Sequence, residues 1–205
     1  MDSKVETDPR IEVLEKIPAY RGYFRVDSYR LRHRRFDGGW TPVLEREVFE
    51  RGHAAALLPY DPRRDEVVLI EQFRVGALAA GLDPWLIEIV AGIIEPGEGA
   101  DEVARRETHE ETGLNVGRIE RIAEIFVSPG GASESALIYC GEVDSGGAGG
   151  YHGLASEGED IRVLVRPFAK VREDLDKGVY SSSPILIALQ WLVMNRTRLR
   201  KTWAP

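Results

Sequence analysis

The chain is short of sulfur and carries fewer positive charges than negative ones. Cys140 is the only cysteine, so no internal disulfide framework can form and packing and hydrogen bonding must hold the fold. A lone thiol fits a reducing compartment, and the expected location is the cytoplasm. Cys140 itself ends an apolar run, 136–140, and reads as a buried strand residue. Basic residues are outnumbered by acidic ones, 27 against 34, for a net charge of −7. That balance argues against nucleic acid as a partner, because polyanion binding relies on clustered Lys and Arg. A phosphorylated substrate would have to be met by local arginines and by metal. No apolar run approaches the roughly 20 residues of a membrane span. The opening MDSKVETDPR has no apolar core, so neither a membrane partner nor a secretory leader is expected. Internal repeats and low-complexity tracts are missing too.

What remains is ordinary globular material, 43 % hydrophobic and 30 % charged over 205 residues. That suits one good-sized domain, or a main domain with a small companion. Residues 1–17 are polar and read as loose. From Tyr20 apolar residues recur at about period two (Phe24, Val26, then Tyr29, Leu31), with a break at Asp27-Ser28 that suggests a bulged strand. Asp37-Gly38-Gly39 signals a turn, and 42–49 reads as the returning strand. A lone hairpin is marginal in water. It therefore needs a third strand, the main domain, or a second copy of the chain to pack on. The short apolar runs 54–58 and 66–73 suit strands buried on both faces. Further strands are expected at 85–90, 122–127, 136–140 and 161–165, and a glycine-rich loop at 146–153. Helices are expected over 167–177 and over 183–193, the latter opened by Ser183-Pro184. The basic residues Arg196 to Lys201 after it read as partners of the helix C-terminus. The order of elements predicts an α/β fold, a mixed sheet between helices, with a small antiparallel β domain at the N-terminus. The expected boundary divides 1–52 from 53–205.

The chemistry concentrates in one stretch, GIIEPGEGADEVARRETHEETGL, from Gly92 to Leu114. A Gly/Pro loop runs into a short helix that Gly113 stops. Glu107, Glu110 and Glu111 are spaced i, i+3 and i+4 and crowd one side of it. Such like-charge pairs cost a helix roughly 0.2–0.5 kcal/mol each, which Arg106 can offset by pairing with Glu110. Charge runs are usually solvated faces. Here few apolar residues justify the helix by packing, and a bound hard cation would explain the cluster. Glu107 and Glu111, one turn apart, are the candidates to share an ion, with Glu110 as a third carboxylate. Arg106 and Glu98 read as residues that orient them.

The full spacing resembles the Nudix box in every fixed position: Gly92, Glu98, Arg106-Glu107, Glu110-Glu111 and Gly113-Leu114. Thr108 is the one departure, standing where the family has an aliphatic or small residue. Ser128-Pro129-Gly130-Gly131 with Ser133-Glu134 resembles the ADP-ribose pyrophosphatase subfamily. So do 152–163, Arg51-Gly52-His53-Ala54-Ala55 and Glu71-Gln72-Phe73-Arg74. The similarity covers nearly the whole chain from Tyr20.

The resemblance implies a Nudix α/β/α sandwich and a metal-dependent pyrophosphatase giving AMP and ribose 5-phosphate, with two or more Mg²⁺ ions or Mn²⁺ in their place. It implies Glu157 as the base that activates water, with Glu159, two residues on, as the competing carboxylate. Glu159, Glu107, Glu111 and the carbonyl of Ala91 are implied as metal ligands, and Arg74 as a phosphate contact. Ser128, Pro129, Gly130 and Glu134 are implied at the terminal ribose. Tyr23, Phe24, Arg46 and Glu47 are implied at the adenosine portion, reaching it from the partner subunit of a homodimer that shares or exchanges its N-terminal sheet. A nucleotide sugar such as GDP-mannose is the alternative substrate, since the metal site would be the same. A non-catalytic ADP-ribose sensor is disfavoured because all box glutamates are present.

Overall fold

The protein, seen here as a computed structural model, is described over residues 8–204, and at Glu157 in its backbone alone. The expectation that the start is loose falls partly on residues 1–7, outside the described residues. It is corrected for the rest: Ile11–Arg21 is a strand, β1. The chain divides into two compact units, Met1–His53 with Phe126–Glu134, and Ala54–Ile125 with Ser135–Pro205.

In the first unit β1 pairs antiparallel with β2 (Arg25–His33), which pairs with β3 (Leu44–Glu50). The hairpin thus finds the third strand it lacked. The pairing of β1 shifts register twice, at Val13/Glu15 and Pro18/Tyr20. Gly38 and Gly39, at φ 90° and 74°, make the turn between β2 and β3.

The second unit is a mixed sheet ordered β10-β11-β5-β4-β9-β8. Its strands are β4 (Ala54–Asp61), β5 (Glu66–Phe73), β8 (Ile119–Phe126), β9 (Ser135–Glu142), β10 (Gly150–His152) and β11 (Ile161–Pro167). The segment expected as one strand at 85–90 is two, β6 (Trp85–Glu88) and β7 (Val90–Ile93), broken at Ile89. The reason lies in the β4–β5 hairpin, which is paired only next to its turn, at Tyr60–Val67 and Asp61–Glu66. Beyond that the two strands splay. β6 enters along β5 (Phe73 opposite Trp85, Ile70 opposite Glu88), the chain turns, and β7 leaves along β4 (Leu57 opposite Val90, Ala54 opposite Ile93). One V-shaped segment is nested in another.

Period two sorts β4 between the two layers. Ala56, Leu58 and Tyr60 join Val67, Leu69, Ile138 and Cys140 against Val171 of α3 (Phe168–Asp176) and against α4 (Ser183–Trp203), through Ile185, Leu189 and Leu192. Ala55 and Leu57 pack instead on Val103 and Ala104 of α2 (Ala100–Thr112). Burying each of the Val, Leu and Ile side chains contributes roughly 1.5–3 kcal/mol. The helix expected to end at 193 runs ten residues further. Its basic residues serve that extension: Arg196 donates to Asp65 at 2.7 Å and Arg198 to Glu120 at 2.7 and 2.9 Å. These two bind loop and strand carboxylates rather than the helix end, whereas Arg200 and Lys201 do lie in the last turn of the helix. The glycine-rich loop contains β10, and a short helix at Val75–Ala79, α1, was not anticipated. Among the described residues no helix is long and apolar enough to cross a membrane.

Candidate active site

The site in the second unit is built on the α2 face of the sheet. Gly99 caps α2, its N–H reaching the Glu102 carboxylate at 3.2 Å, and Gly113 closes the helix in the left-handed region at φ 73°. Thr108, the departure from the box pattern, is fully buried, and its hydroxyl donates to the Ala104 carbonyl at 2.7 Å. A polar residue is tolerated there because the helix itself satisfies it.

Glu107 lies flat over β7. A Cβ added to Gly92 would stand 1.9 Å from its Oε1, so the box glycine is the space that carboxylate occupies. Arg106 donates to Glu107 at 2.9 Å and to Glu110 at 3.0 Å, and lies 3.7 Å from Glu98. Glu98 also accepts the Glu95 N–H at 3.0 Å, pinning the loop to the helix. Arg106 and Glu98 therefore stand where orienting residues would. Burial raises the Glu107 carboxyl against the pull of Arg106.

Glu111 is the centre of the arrangement. It is 2 % exposed, and its Oε2 is buried without a hydrogen-bond partner. Burial first, then the charges of Glu107 and Glu159, push its carboxyl up to about 9, despite a hydrogen bond from the Ala91 backbone and the charge of Arg74. An orphaned buried carboxylate oxygen is costly unless something cationic meets it. This donor set fits a hard divalent ion. Glu159 sits after the 3₁₀ turn Ala155–Glu157, its carboxylate accepting the Leu154 N–H at 3.0 Å. Glu107, Glu111 and Glu159 are thus close enough to feel one another's charge. Among the described residues, however, no three acidic, His or Cys side chains stand gathered as a ready-made metal shell.

Arg74 donates through Nε to Glu88 at 2.7 Å. Glu88 escaped the sequence reading, although a single charge inside the strand run WLIEIV was the available signal.

The remaining expected residues belong to the first unit. Tyr23 is 91 % exposed and meets Phe24 edge-on at 4.8 Å; Phe24 meets Phe49 at 5.0 Å and lies under the Arg51 guanidinium. Arg51 also faces Glu134 at 3.5 Å. The Ser128–Gly130 turn is tied to the end of β3, where Phe49 N–H donates to Gly131 O at 2.8 Å and Ser133 N–H to Phe49 O at 3.2 Å. Arg46 and Glu47 are exposed on opposite faces of β3, Glu47 on the face of Phe49. The structure does not gather Arg46 with the aromatic group.

Residues 50–170 match the NUDIX domain family model. The chain is 48 % identical over 194 residues to the ADP-ribose pyrophosphatase of Escherichia coli (strain K12), covering 95 % of this chain and 93 % of that protein. It is 37 % identical over 152 residues to the GDP-mannose pyrophosphatase of Cronobacter sakazakii, covering 74 % of this chain and 78 % of that one. A solved structure described as an ADP compounds hydrolase superposes with a TM-score of 0.64 at 22 % identity, covering 91 % of this chain and 96 % of its own, which supports the fold.

Proposed function

Because the chain belongs to the Nudix family, whose hydrolases work with divalent metal ions, we propose that it hydrolyses the pyrophosphate bond of ADP-ribose to AMP and ribose 5-phosphate. The observation that carries this reading is Glu111, buried with an unpartnered oxygen beside Glu107 and Glu159. A fold of this kind hosts many activities, so the site carries the argument, not the fold.

Glu107, Glu111, Glu159 and the Ala91 carbonyl would hold the metal, two or more Mg²⁺ ions or Mn²⁺ in their place. Ala91 faces Ala56 in an antiparallel ladder, where a residue turns its N–H and C=O to the same side. The Ala91 backbone acts on the Glu111 carboxyl, which supports its carbonyl as a further ligand of the same ion. When bound, divalent ions neutralise phosphoryl oxygens and make a water more acidic. Arg106 keeps Glu107 and Glu110 in place, and Arg74 presents positive charge to the phosphates. Glu157 accepts the proton of the attacking water from a glycine-flanked turn. Tyr23 and Phe24 stack on the adenine, Arg46 and Glu47 meet the adenosine portion from opposite faces of β3, and Ser128, Pro129, Gly130 and Glu134 meet the terminal ribose. The N-terminal sheet acts as the dimerising and base-binding domain of a cytoplasmic homodimer, shared or exchanged between subunits.

The relative acting on GDP-mannose makes a nucleotide sugar the second reading. The deciding experiment is turnover of ADP-ribose and GDP-mannose with Mg²⁺ by wild type, Glu111→Gln and Glu157→Gln. Clear preference for ADP-ribose, with kcat lost by about 10²-fold or more in both variants, is expected. Preference for GDP-mannose would sink the substrate and keep the mechanism. A Glu157→Gln enzyme with unchanged kcat would move the base to Glu159.

A further inference from the structure

We propose that Glu88 is a positioning residue. It grips Arg74 by Nε so that the two terminal guanidinium nitrogens are left for the pyrophosphate. The inference rests on the phosphate role given to Arg74 above.

The register places Glu88 on the working side of the sheet. It stands opposite Ile70, and Leu86 stands opposite Gln72. Residues two apart share a face, so Glu88, Ile70 and Gln72 lie together. Val67 and Leu69 pack toward α3 and α4, which puts Ile70, Gln72 and Glu88 on the other side, that of α2. Ile70 packs there with Val90 and Ile161. A carboxylate inside an apolar strand is costly unless it is paired. Glu88 keeps only 14 % of its side chain exposed, against 43 % for Arg74. Its Oε2 takes Arg74 Nε at 2.7 Å, with the Gln72 amide at 3.5 Å.

The division of the guanidinium carries the argument. A carboxylate that pairs with arginine frequently takes the fork of two nitrogens, which spends its phosphate-binding edge. The contact here runs through Nε, the nitrogen on the stem. Arg74 is held through its stem nitrogen while 43 % of its side chain stays exposed, and its charge reaches Glu111. Glu88 therefore acts on binding through Arg74 and touches no reacting atom. Its loss should appear in KM before kcat.

The test is steady-state hydrolysis of ADP-ribose with Mg²⁺ by wild type, Arg74→Ala, Glu88→Gln, Glu88→Ala and the double variant Arg74→Ala/Glu88→Ala, with a melting curve for each. Arg74→Ala is expected to raise KM by about 10²-fold, and Glu88→Ala by about tenfold with kcat within about threefold of wild type. Glu88→Gln, whose amide oxygen still accepts from Nε, should rescue KM to within about threefold. The double variant should match Arg74→Ala within about twofold, because the second loss acts only through the first. Multiplying losses in the double variant, a collapse of kcat in Glu88→Ala, or a Gln variant as poor as Ala would each overturn the proposal. If alanine at 88 abolishes the melting transition, Glu88→Asp keeps the charge and shortens the reach. It should raise KM about fivefold, and an unchanged KM would overturn the positioning role. An Arg74→Ala enzyme with wild-type KM sinks the phosphate role of Arg74 and this inference together. An impaired Arg74→Ala beside a normal Glu88→Ala sinks only the inference.

Discussion

Two carboxyls, Asp61 and Glu111, are both nearly inaccessible and titrate in opposite directions. Burial alone would raise Asp61. The backbone N–H groups of Arg64 and Ser145, with their side chains, more than offset it and bring the carboxyl down to about 2. Its oxygens accept Arg63 N–H and Ser145 N–H at 2.9 Å. A depressed folded-state value means stability present above the unfolded value near 3.9 and lost as pH falls through about 2, worth about 2 kcal/mol. Urea titrations between pH 5 and pH 2 should show that loss, and Asp61→Asn should flatten part of it. Glu111 runs the other way. Folding raises its carboxyl to about 9 from 4.5, so the metal-free protein loses stability from this group as pH rises from about 4.5 toward 9. Glu111→Gln should therefore melt higher than wild type in chelator at pH 7.5, by about 1–3 kcal/mol, while losing activity. A variant that melts lower would show that burial puts no penalty on the Glu111 carboxyl.

Among the elements, the α2 site depends on a neighbour's missing side chain. Gly92→Ala places a methyl where the Glu107 carboxylate lies. Only the flexible end of Glu107 needs to move, so Tm should fall by no more than a few degrees while kcat drops by about 10²-fold. Comparing melting with kinetics on one preparation checks both halves. The box was legible in the sequence because a helix turn, a capping glycine and a carboxylate spacing are all local. Thr108 looked like a misfit because its partner, the carbonyl one turn back, is supplied by the helix it sits in. The strands with continuous apolar runs, β4, β5 and β9, were equally plain. β1 was missed because its side chains are mostly exposed, leaving no hydrophobic period to read. The break at Ile89 and the Arg74–Glu88 contact were out of reach, since pairing between distant strands decides both. The end of α4 was set too early because its last ten residues are held by distant parts of the chain, Asp65 and Glu120 at its arginines and the main core around Leu199 and Trp203.

At the scale of the whole molecule, the first unit poses the clearest question. Among its described residues no apolar side chain is buried, while Val13, Leu14, Ile17, Tyr20, Tyr23 and Phe36 are all open. A three-stranded sheet without a core of its own needs cover. The homodimer proposed above predicts a two-chain mass by sedimentation at micromolar concentration, and a Tm that rises with protein concentration. A fully active monomer would refute it.

The nested V of β6 and β7 also bears on how the molecule comes apart. Residues 85–93 supply hydrogen-bond partners to Ala54–Leu57 on one arm and to Ile70–Phe73 on the other. Withdrawing this one segment bares two edges that are well separated in sequence, and neither can re-pair with the other while the arms remain splayed. The amides of β4 and β5 that point into the V should therefore give up their protons to deuterated solvent at one shared rate, as a single cooperative opening. Amides of β5 that point toward β11 should keep theirs longer.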